Sequence, residues 1–233
     1  MKIVESGQSL SRRRILQMGI TGTAVGLLAG GLDLAAPATA VAQEVSTPDA
    51  AIAELMAGNK RSLSGRLTAH DTDLNILKQH TADSQQPFAA VLSCADSRVP
   101  VELVFDQTIG HIFVTRVAGN ILTPEIIGSL EYGAAVLGTK VIMVLGHANC
   151  GAVKAAIQGK PVPGQISSLF PHLQPAVDHA GPDLEATIKA NAKIQATLLR
   201  ESSTVISGMV KEGTVKVVAA YYDLASGAVT MVA

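Results

Sequence analysis

The chain of 233 residues contains no Trp, and its other aromatic residues are only three Tyr and four Phe. Surfaces that stack nucleic-acid bases or sugars need exposed aromatic rings. The formal net charge of −1 gives no general attraction to a phosphate backbone. We therefore expect no nucleic-acid partner, and a core built from Val, Ile, Leu and Ala.

Charged residues are also sparse, at 16% of the chain, and hydrophobic residues make up 48%. These fractions lie in the ordinary range of globular proteins, so they argue against a disordered or fibrous chain. The length suits one sizeable domain, and the sequence contains no internal repeat and no second core.

A long apolar run that could span a membrane is missing as well. The apolar stretch from Met18 to Leu32 is too short and too rich in glycine for a stable span. It follows a twin-arginine motif at Ser11–Gln17 and precedes small-residue cleavage motifs within residues 38–42. Residues 1–42 are therefore predicted to be a removable signal that exports the protein to the periplasm or an equivalent compartment. The alternative is a retained anchor or a basic terminus without function.

The remaining residues, 43–233, are predicted to form a single α/β domain with a central, mostly parallel sheet flanked by helices. Apolar runs typical of strands covered on both faces occur at residues 88–92, 112–117 and 141–145. Helices are predicted from residue 48, at 73–80, at 124–137 and at 183–209, and the tail predicts a strand hairpin at 214–222 and 228–232. The proline-rich segment 159–182 is interpreted as a long irregular connection.

Only two cysteines are present, and each follows a predicted strand. Cys94 lies in the sequence CADSR, and Cys150 lies in GHANCG together with His147. In open α/β sheets, sites form beyond the carboxyl ends of the strands. Two thiolates and one imidazole suit tetrahedral zinc, and three protein ligands leave a fourth position for water. This pattern is typical of a catalytic zinc site.

Two alternatives compete with a metal site. Two cysteines in an exported protein can form a disulfide. A thiol activated by His147 could also act as a nucleophile, although that leaves the second cysteine without a role. Because both cysteines lie in polar, charge-bearing segments after strands, and His147 lies close to Cys150, the metal site is favoured.

The motif Cys-x-Asp-x-Arg, followed later in the chain by His-x-x-Cys, resembles the signature of the β-carbonic anhydrases. The matching residues are Cys94, Asp96, Arg98, His147 and Cys150, and the resemblance covers essentially everything after the signal. It implies one Zn²⁺ per chain, held by the two cysteines and the histidine. It also implies a zinc-held water that ionises and attacks carbon dioxide to give bicarbonate, and a homodimer or a larger homo-oligomer.

The same resemblance implies roles for further residues. Asp96 would accept a hydrogen bond at the reacting centre, and Arg98 would hold Asp96 in place. The substrate pocket would use, partly across a dimer interface, the donor Gln85 and the wall residues Phe113, Ala118, Tyr132 and Gly151. The lack of Trp indicates the family subgroup without bicarbonate self-regulation. A histidine would carry the proton to solvent, and the candidates are His70, His80, His111, His172 and His179.

Two other functions remain open. A hydrolase of carbonyl sulfide or carbon disulfide could use the same fold and metal on a similar linear electrophile. A zinc-binding relative without catalytic activity is expected to lack Asp96 or Arg98, and this chain has both.

Overall fold

A computed structural model describes residues 45–69 and 81–233. The predicted signal at 1–42, the predicted helix at 73–80 and two of the candidate proton carriers, His70 and His80, lie outside these residues. Within the described part, no helix has the length and apolar character that a membrane span requires.

The centre of the fold is a five-stranded sheet in the order β2-β1-β3-β4-β5. Neighbouring strands pair in parallel except β4 and β5, which are antiparallel. This confirms the predicted α/β class, the mostly parallel sheet and the terminal hairpin. The strands are β1 (Ala89–Ser93), β2 (Ile112–Arg116), β3 (Val141–His147), β4 (Lys216–Tyr222) and β5 (Val229–Val232).

Seven α-helices surround this sheet in the described residues, and two of them begin where the sequence predicts. Thr47 and Thr123 each precede a proline at the first helical position, and each side chain accepts a hydrogen bond from the backbone N–H three residues on. The helices are α1 (Pro48–Leu63), α2 (Val101–Val104), α3 (Pro124–Glu131, continued by a π-helical turn at Tyr132–Val136), α4 (Gly151–Gln158), α5 (Phe170–Ala180), α6 (Leu184–Ser202) and α7 (Thr204–Lys211).

The prediction of an irregular connection at 159–182 is wrong. A 3₁₀-helix at Gly164–Leu169 leads into α5, which contains Pro175. Proline inside a helix removes a backbone hydrogen bond. Packing outweighs that cost here, because Leu173 and Ala176 are buried in α5.

The single helix predicted at 183–209 is two helices. Ser203 has extended backbone angles between α6 and α7, and its hydroxyl accepts a hydrogen bond from the N–H of Ile206 at 3.0 Å. It also donates to Glu131 at 2.6 Å. A serine inside an apolar helical pattern therefore marks a new helix start, which apolar periodicity alone does not reveal.

Alternate side chains of β1 pack on opposite faces of the sheet, as the two-residue period of a strand requires. Val91 joins a cluster with Leu55 of α1 and Phe105. Leu92 joins a second cluster with Leu199 of α6. Because both faces are covered, β1 is fully buried, and the polar groups of the site lie beyond its carboxyl end.

Candidate metal centre

Three metal-ligating side chains meet beyond the carboxyl ends of the neighbouring strands β1 and β3. Sγ of Cys94, a ring nitrogen of His147 and Sγ of Cys150 lie within 4.8 Å of one another, and all three residues are buried. The two sulfurs are 4.0 Å apart and not bonded to each other. Zn–S bonds of about 2.3 Å at a tetrahedral angle place two sulfurs about 3.8 Å apart, so the spacing fits zinc.

The ring of His147 is oriented for metal binding. Its Nδ1 lies 2.9 Å from the carbonyl oxygen of Ala148, to which it donates a hydrogen bond in the matching tautomer. Its Nε2 is buried and has no hydrogen-bond partner among the residues described. A buried, unpaired nitrogen is costly unless a ligand satisfies it, and metal-binding histidines commonly donate their other ring N–H to a carbonyl.

The two cysteines also suit a cation. The hydrogen bond from Cys150 lowers the pKa of Cys94 to about 4 against the effect of burial, assisted by His147 and by the N–H of Gly119. The same hydrogen bond, together with burial, raises the pKa of Cys150. The two sulfurs are therefore coupled, and one proton between them supplies the hydrogen bond. A divalent cation would displace that proton and bind two thiolates.

Asp96 and Arg98 form a two-point ion pair beside these ligands. Nε of Arg98 donates to Oδ1 of Asp96 at 2.9 Å, and Nη2 donates to Oδ2 at 2.7 Å. The backbone N–H of Arg98 also donates to Oδ1 at 3.0 Å. The Arg98 hydrogen bond is the main reason that the pKa of Asp96 lies well below its ordinary value. Asp96 is therefore a carboxylate at neutral pH.

A further residue, to which the sequence motifs assign no role, holds the cysteine loop. Arg116, the last residue of β2, donates from Nε to the carbonyl oxygen of Cys94 at 3.0 Å and from Nη2 to that of Asp96. The sequence signal for it is a cation at the end of a strand that begins with three apolar residues. The strand order, which places β2 beside β1, was needed to interpret it.

Comparisons with known proteins identify the family of the chain. The carbonic anhydrase family model matches residues 89–229. The chain belongs to the β-class carbonic anhydrase family. Carbonic anhydrase 2 of Mycobacterium tuberculosis is 32% identical over 190 residues, which are 78% of this chain and 91% of that protein. The carbonic anhydrase of Mycolicibacterium smegmatis is 33% identical over 194 residues, 80% of this chain and 94% of that protein.

Solved structures give the same result for the fold. The β-carbonic anhydrase of Coccomyxa, solved with acetazolamide, superposes with a TM-score of 0.61 at 26% identity and covers 74% of this chain and 82% of that one. A tetrameric β-carbonic anhydrase of Sordaria macrospora gives a TM-score of 0.59 at 21% identity and covers 68% of this chain and 90% of that one. The match to the β-carbonic anhydrase fold confirms the predicted architecture.

β-Carbonic anhydrases are zinc enzymes, and the donor set of this chain fits that metal. Cys94, His147 and Cys150 are a two-sulfur, one-nitrogen set, which is a recognised composition for catalytic zinc. Three protein ligands leave one of the four tetrahedral coordination positions open. The 4.0 Å sulfur separation and the unpaired Nε2 of His147 are the observations that support zinc over a disulfide.

The residues predicted for the substrate pocket fall into two groups within this carbonic anhydrase chain. Ala118 and Gly151 are adjacent in sequence to Gly119 and Cys150, which contact or belong to the ligand set. Gln85 and Tyr132 instead line a groove of about 540 Å³ together with Ile109 and Leu137, and no metal ligand lines it.

Phe113 belongs with the second group. Its ring centroid lies 6.3 Å from that of Tyr132. It precedes Arg116 by three residues along β2, a distance of about 10 Å. One chain therefore does not bring all five predicted pocket residues to one place, as expected if some of them serve a neighbouring subunit.

Proposed function

We propose that this protein catalyses the reversible hydration of carbon dioxide to bicarbonate and a proton. One observation carries the proposal: the carboxylate of Asp96, held by Arg98, lies beside three buried side chains that can bind zinc. Oδ2 of Asp96 lies 3.8 Å from Nε2 of His147. When bound by these three ligands, Zn²⁺ would lower the pKa of a water molecule and so supply a hydroxide nucleophile.

Asp96 is suited to orient that water. Because its pKa is lowered, the carboxylate only accepts hydrogen bonds at neutral pH. Arg98 binds both carboxylate oxygens. Oδ2, which lies nearer the metal ligands, can accept a further hydrogen bond. Asp96 would accept a hydrogen bond from the attacking oxygen and so direct a lone pair of that oxygen towards the substrate carbon.

The substrate pocket would be completed by a second copy of the chain. Tyr132 is 48% exposed, and the neighbouring apolar residues Val136 and Ile109 are 65% and 45% exposed. An exposed apolar surface of this kind is typical of interfaces. We place Gln85, Phe113 and Tyr132 of one subunit over Ala118 and Gly151 of the next. The tetrameric structure from Sordaria macrospora supports a homo-oligomer.

Stopped-flow hydration of carbon dioxide by the zinc-loaded protein tests the function directly. We expect activity that is lost together with zinc in Cys150→Ser, because that change removes one ligand. Carbonyl sulfide and carbon disulfide serve as alternative substrates in the same experiment. Turnover of either sulfur compound without hydration of carbon dioxide would overturn the proposal, and so would a zinc-loaded protein that is inactive on all three.

We also propose that the protein is exported by the twin-arginine route and loses residues 1–42. The support is the motif at Ser11–Gln17 and the small residues at 38–42. Fractionation of cells that express the full chain, with N-terminal sequencing of the product, tests this. Replacement of Arg12 and Arg13 by Lys should leave the protein in the cytoplasm. Export that is unaffected by this change would contradict the proposal.

A further inference from the structure

The buried face of helix α6 contains three polar residues spaced four apart, which we call the polar ladder: Thr187, Asn191 and Gln195. Their exposures are 0%, 1% and 1%. Core-facing helix positions with this spacing are normally apolar. A buried amide costs free energy unless its hydrogen bonds are satisfied. The hydrogen-bond partners of these three side chains therefore indicate the role of the polar ladder.

Asn191 and Gln195 bind the segment that joins β2 to α3. Nδ2 of Asn191 donates to the carbonyl oxygen of Gly119 at 2.8 Å, and Oε1 of Gln195 accepts from the N–H of Leu122 at 2.9 Å. The two side chains also bond to each other, since Nε2 of Gln195 donates to Oδ1 of Asn191 at 3.2 Å. Both ends of residues 119–122 are therefore attached to α6.

This segment contacts the metal centre through its backbone. The N–H of Gly119 donates to Sγ of Cys94 at 3.3 Å. Gly119 has φ +78°, and an added Cβ would lie 3.2 Å from Leu173. Asn120 also has positive φ, at 44°. Glycine and asparagine tolerate this backbone region better than other residues. The bonds from α6 further restrain the segment in this conformation.

We propose that Asn191 and Gln195 are positioning residues for the zinc site. They fix the Gly119 N–H against the Cys94 thiolate, and so set how much charge the sulfur shares with the metal. Hydrogen bonds to metal ligands tune affinity and ligand strength in this way. The inference rests on the zinc site of the proposed function but does not depend on which substrate is turned over.

The test uses Asn191→Leu, which keeps the size of the side chain and removes the donor. Two readouts are independent of catalysis: zinc retention against a competing chelator, and the thiolate-to-metal charge-transfer bands of the Co²⁺-substituted protein. We expect about tenfold weaker zinc binding, the lower end for changes around metal ligands. We also expect shifted charge-transfer bands, because the sulfur loses a well-placed donor.

Thr187→Val is the matched control, because it makes the same polar-to-apolar change on the same helix face. Its hydroxyl donates to the carbonyl oxygen of Gly181 at 3.0 Å, away from the 119–122 segment. This control should lose stability without changing zinc affinity or the cobalt spectrum. Equal effects of Asn191→Leu and Thr187→Val on both readouts would overturn the proposal, since both residues would then only fasten the helix.

Gln195→Met provides a second, milder variant if Asn191→Leu does not fold. It retains the Asn191 donor to Gly119 but removes the Gln195 bonds to Leu122, to Asn191 and to the carbonyl oxygen of His172. The expected changes have the same direction and a smaller size, because the Gly119 end stays attached. An unchanged spectrum and unchanged zinc affinity in a folded Gln195→Met would equally overturn the proposal. A wild-type protein that binds zinc but does not hydrate carbon dioxide would refute the proposed function alone, because neither readout uses turnover.

Discussion

Oδ2 of Asp96 lies 3.8 Å from Nε2 of His147, the ring nitrogen that faces the other metal ligands. A carboxylate so close to the metal position can either orient a water or bind the metal itself. The two-point ion pair with Arg98 favours the first of these, because it holds both carboxylate oxygens in place. We therefore expect the arginine to keep Asp96 from binding the metal and to leave the fourth metal position available.

Arg98→Ala should lower turnover far more than zinc content. Without the guanidinium, Asp96 is free to rotate towards the metal and compete with water. We expect a loss of activity of about 100-fold or more, in the range for removal of a positioned catalytic partner. The three zinc ligands are intact, so metal analysis should still find close to one zinc per chain.

Arg98→Lys is the matched control for that change. It keeps the positive charge but cannot bind both oxygens at once, so we expect activity between those of the wild type and Arg98→Ala. A proportional loss of zinc and activity in Arg98→Ala would instead mean that Arg98 supports the ligand loop. In that case its assigned role is wrong.

The activity should increase with pH through the neutral range and reach its maximum on the alkaline side. Two thiolates offset both charges of Zn²⁺, whereas carbonic anhydrases with three neutral histidine ligands keep the full charge and give a water pKa of about 7. A neutral site is a weaker Lewis acid, so the water should ionise at higher pH. Stopped-flow measurements across the pH range check this, and a profile flat down to about pH 6 contradicts the charge argument.

The sequence predicted the ligand set because the chemistry is local. Cys94 follows an apolar strand directly, and His147 and Cys150 lie three residues apart in one loop. The rule that sites form beyond the carboxyl ends of parallel strands then placed both segments together. The register confirms it, since Ser93 pairs with Leu145, and these residues immediately precede the two ligand segments.

Residues that support the site by hydrogen bonds to backbone groups were harder to predict. Arg116 contacts the Cys94 loop, and Asn191 contacts Gly119 beside it. Both contacts depend on strand order and helix placement, which apolar periodicity does not specify. Pro175 predicted a loop, although tertiary packing keeps it in α5. The predicted substrate residues Gln85 and Tyr132 carry no local sequence signal, and only the family resemblance indicates them.

Arg116→Met should weaken zinc binding by about tenfold. The arginine binds the carbonyl oxygens of Cys94 and Asp96, and methionine fills similar space without replacing either hydrogen bond. Competition with a chelator measures the change. Arg200→Met is the control, because Arg200 donates to the carbonyl of Val217 at 2.8 Å, on another part of the sheet. Equal zinc affinity in the two variants would show that Arg116 does not support the metal site.

Asp106→Asn should destabilise the protein at neutral pH and have little effect in acid. Asp106 is buried, and Oδ1 accepts hydrogen bonds from the N–H groups of Thr68 and Ala69 at 2.9 and 3.0 Å. Oδ2 pairs with Nε of Arg61 at 2.6 Å. Burial raises the pKa of Asp106, but these hydrogen bonds outweigh it, and the net pKa lies below the ordinary value. Asparagine keeps the shape and tolerates the positive φ of 45° at this position.

The sign of the pH dependence follows from that lowered pKa. The charged form of Asp106 stabilises the fold fully above the unfolded pKa of about 3.9, and this stabilisation is lost as the pH falls through the lower folded pKa. Urea unfolding should therefore show that Asp106→Asn has a lower free energy of unfolding than the wild type by about 2 to 3 kcal/mol at pH 7. This difference should shrink as the pH falls below about 4. Asp49→Asn is the matched control: Asp49 pairs with Lys216 but its side chain is 79% exposed, so its loss should cost less than about 1 kcal/mol. A difference between wild type and Asp106→Asn that is constant with pH would show that shape, rather than the carboxylate charge, stabilises this loop.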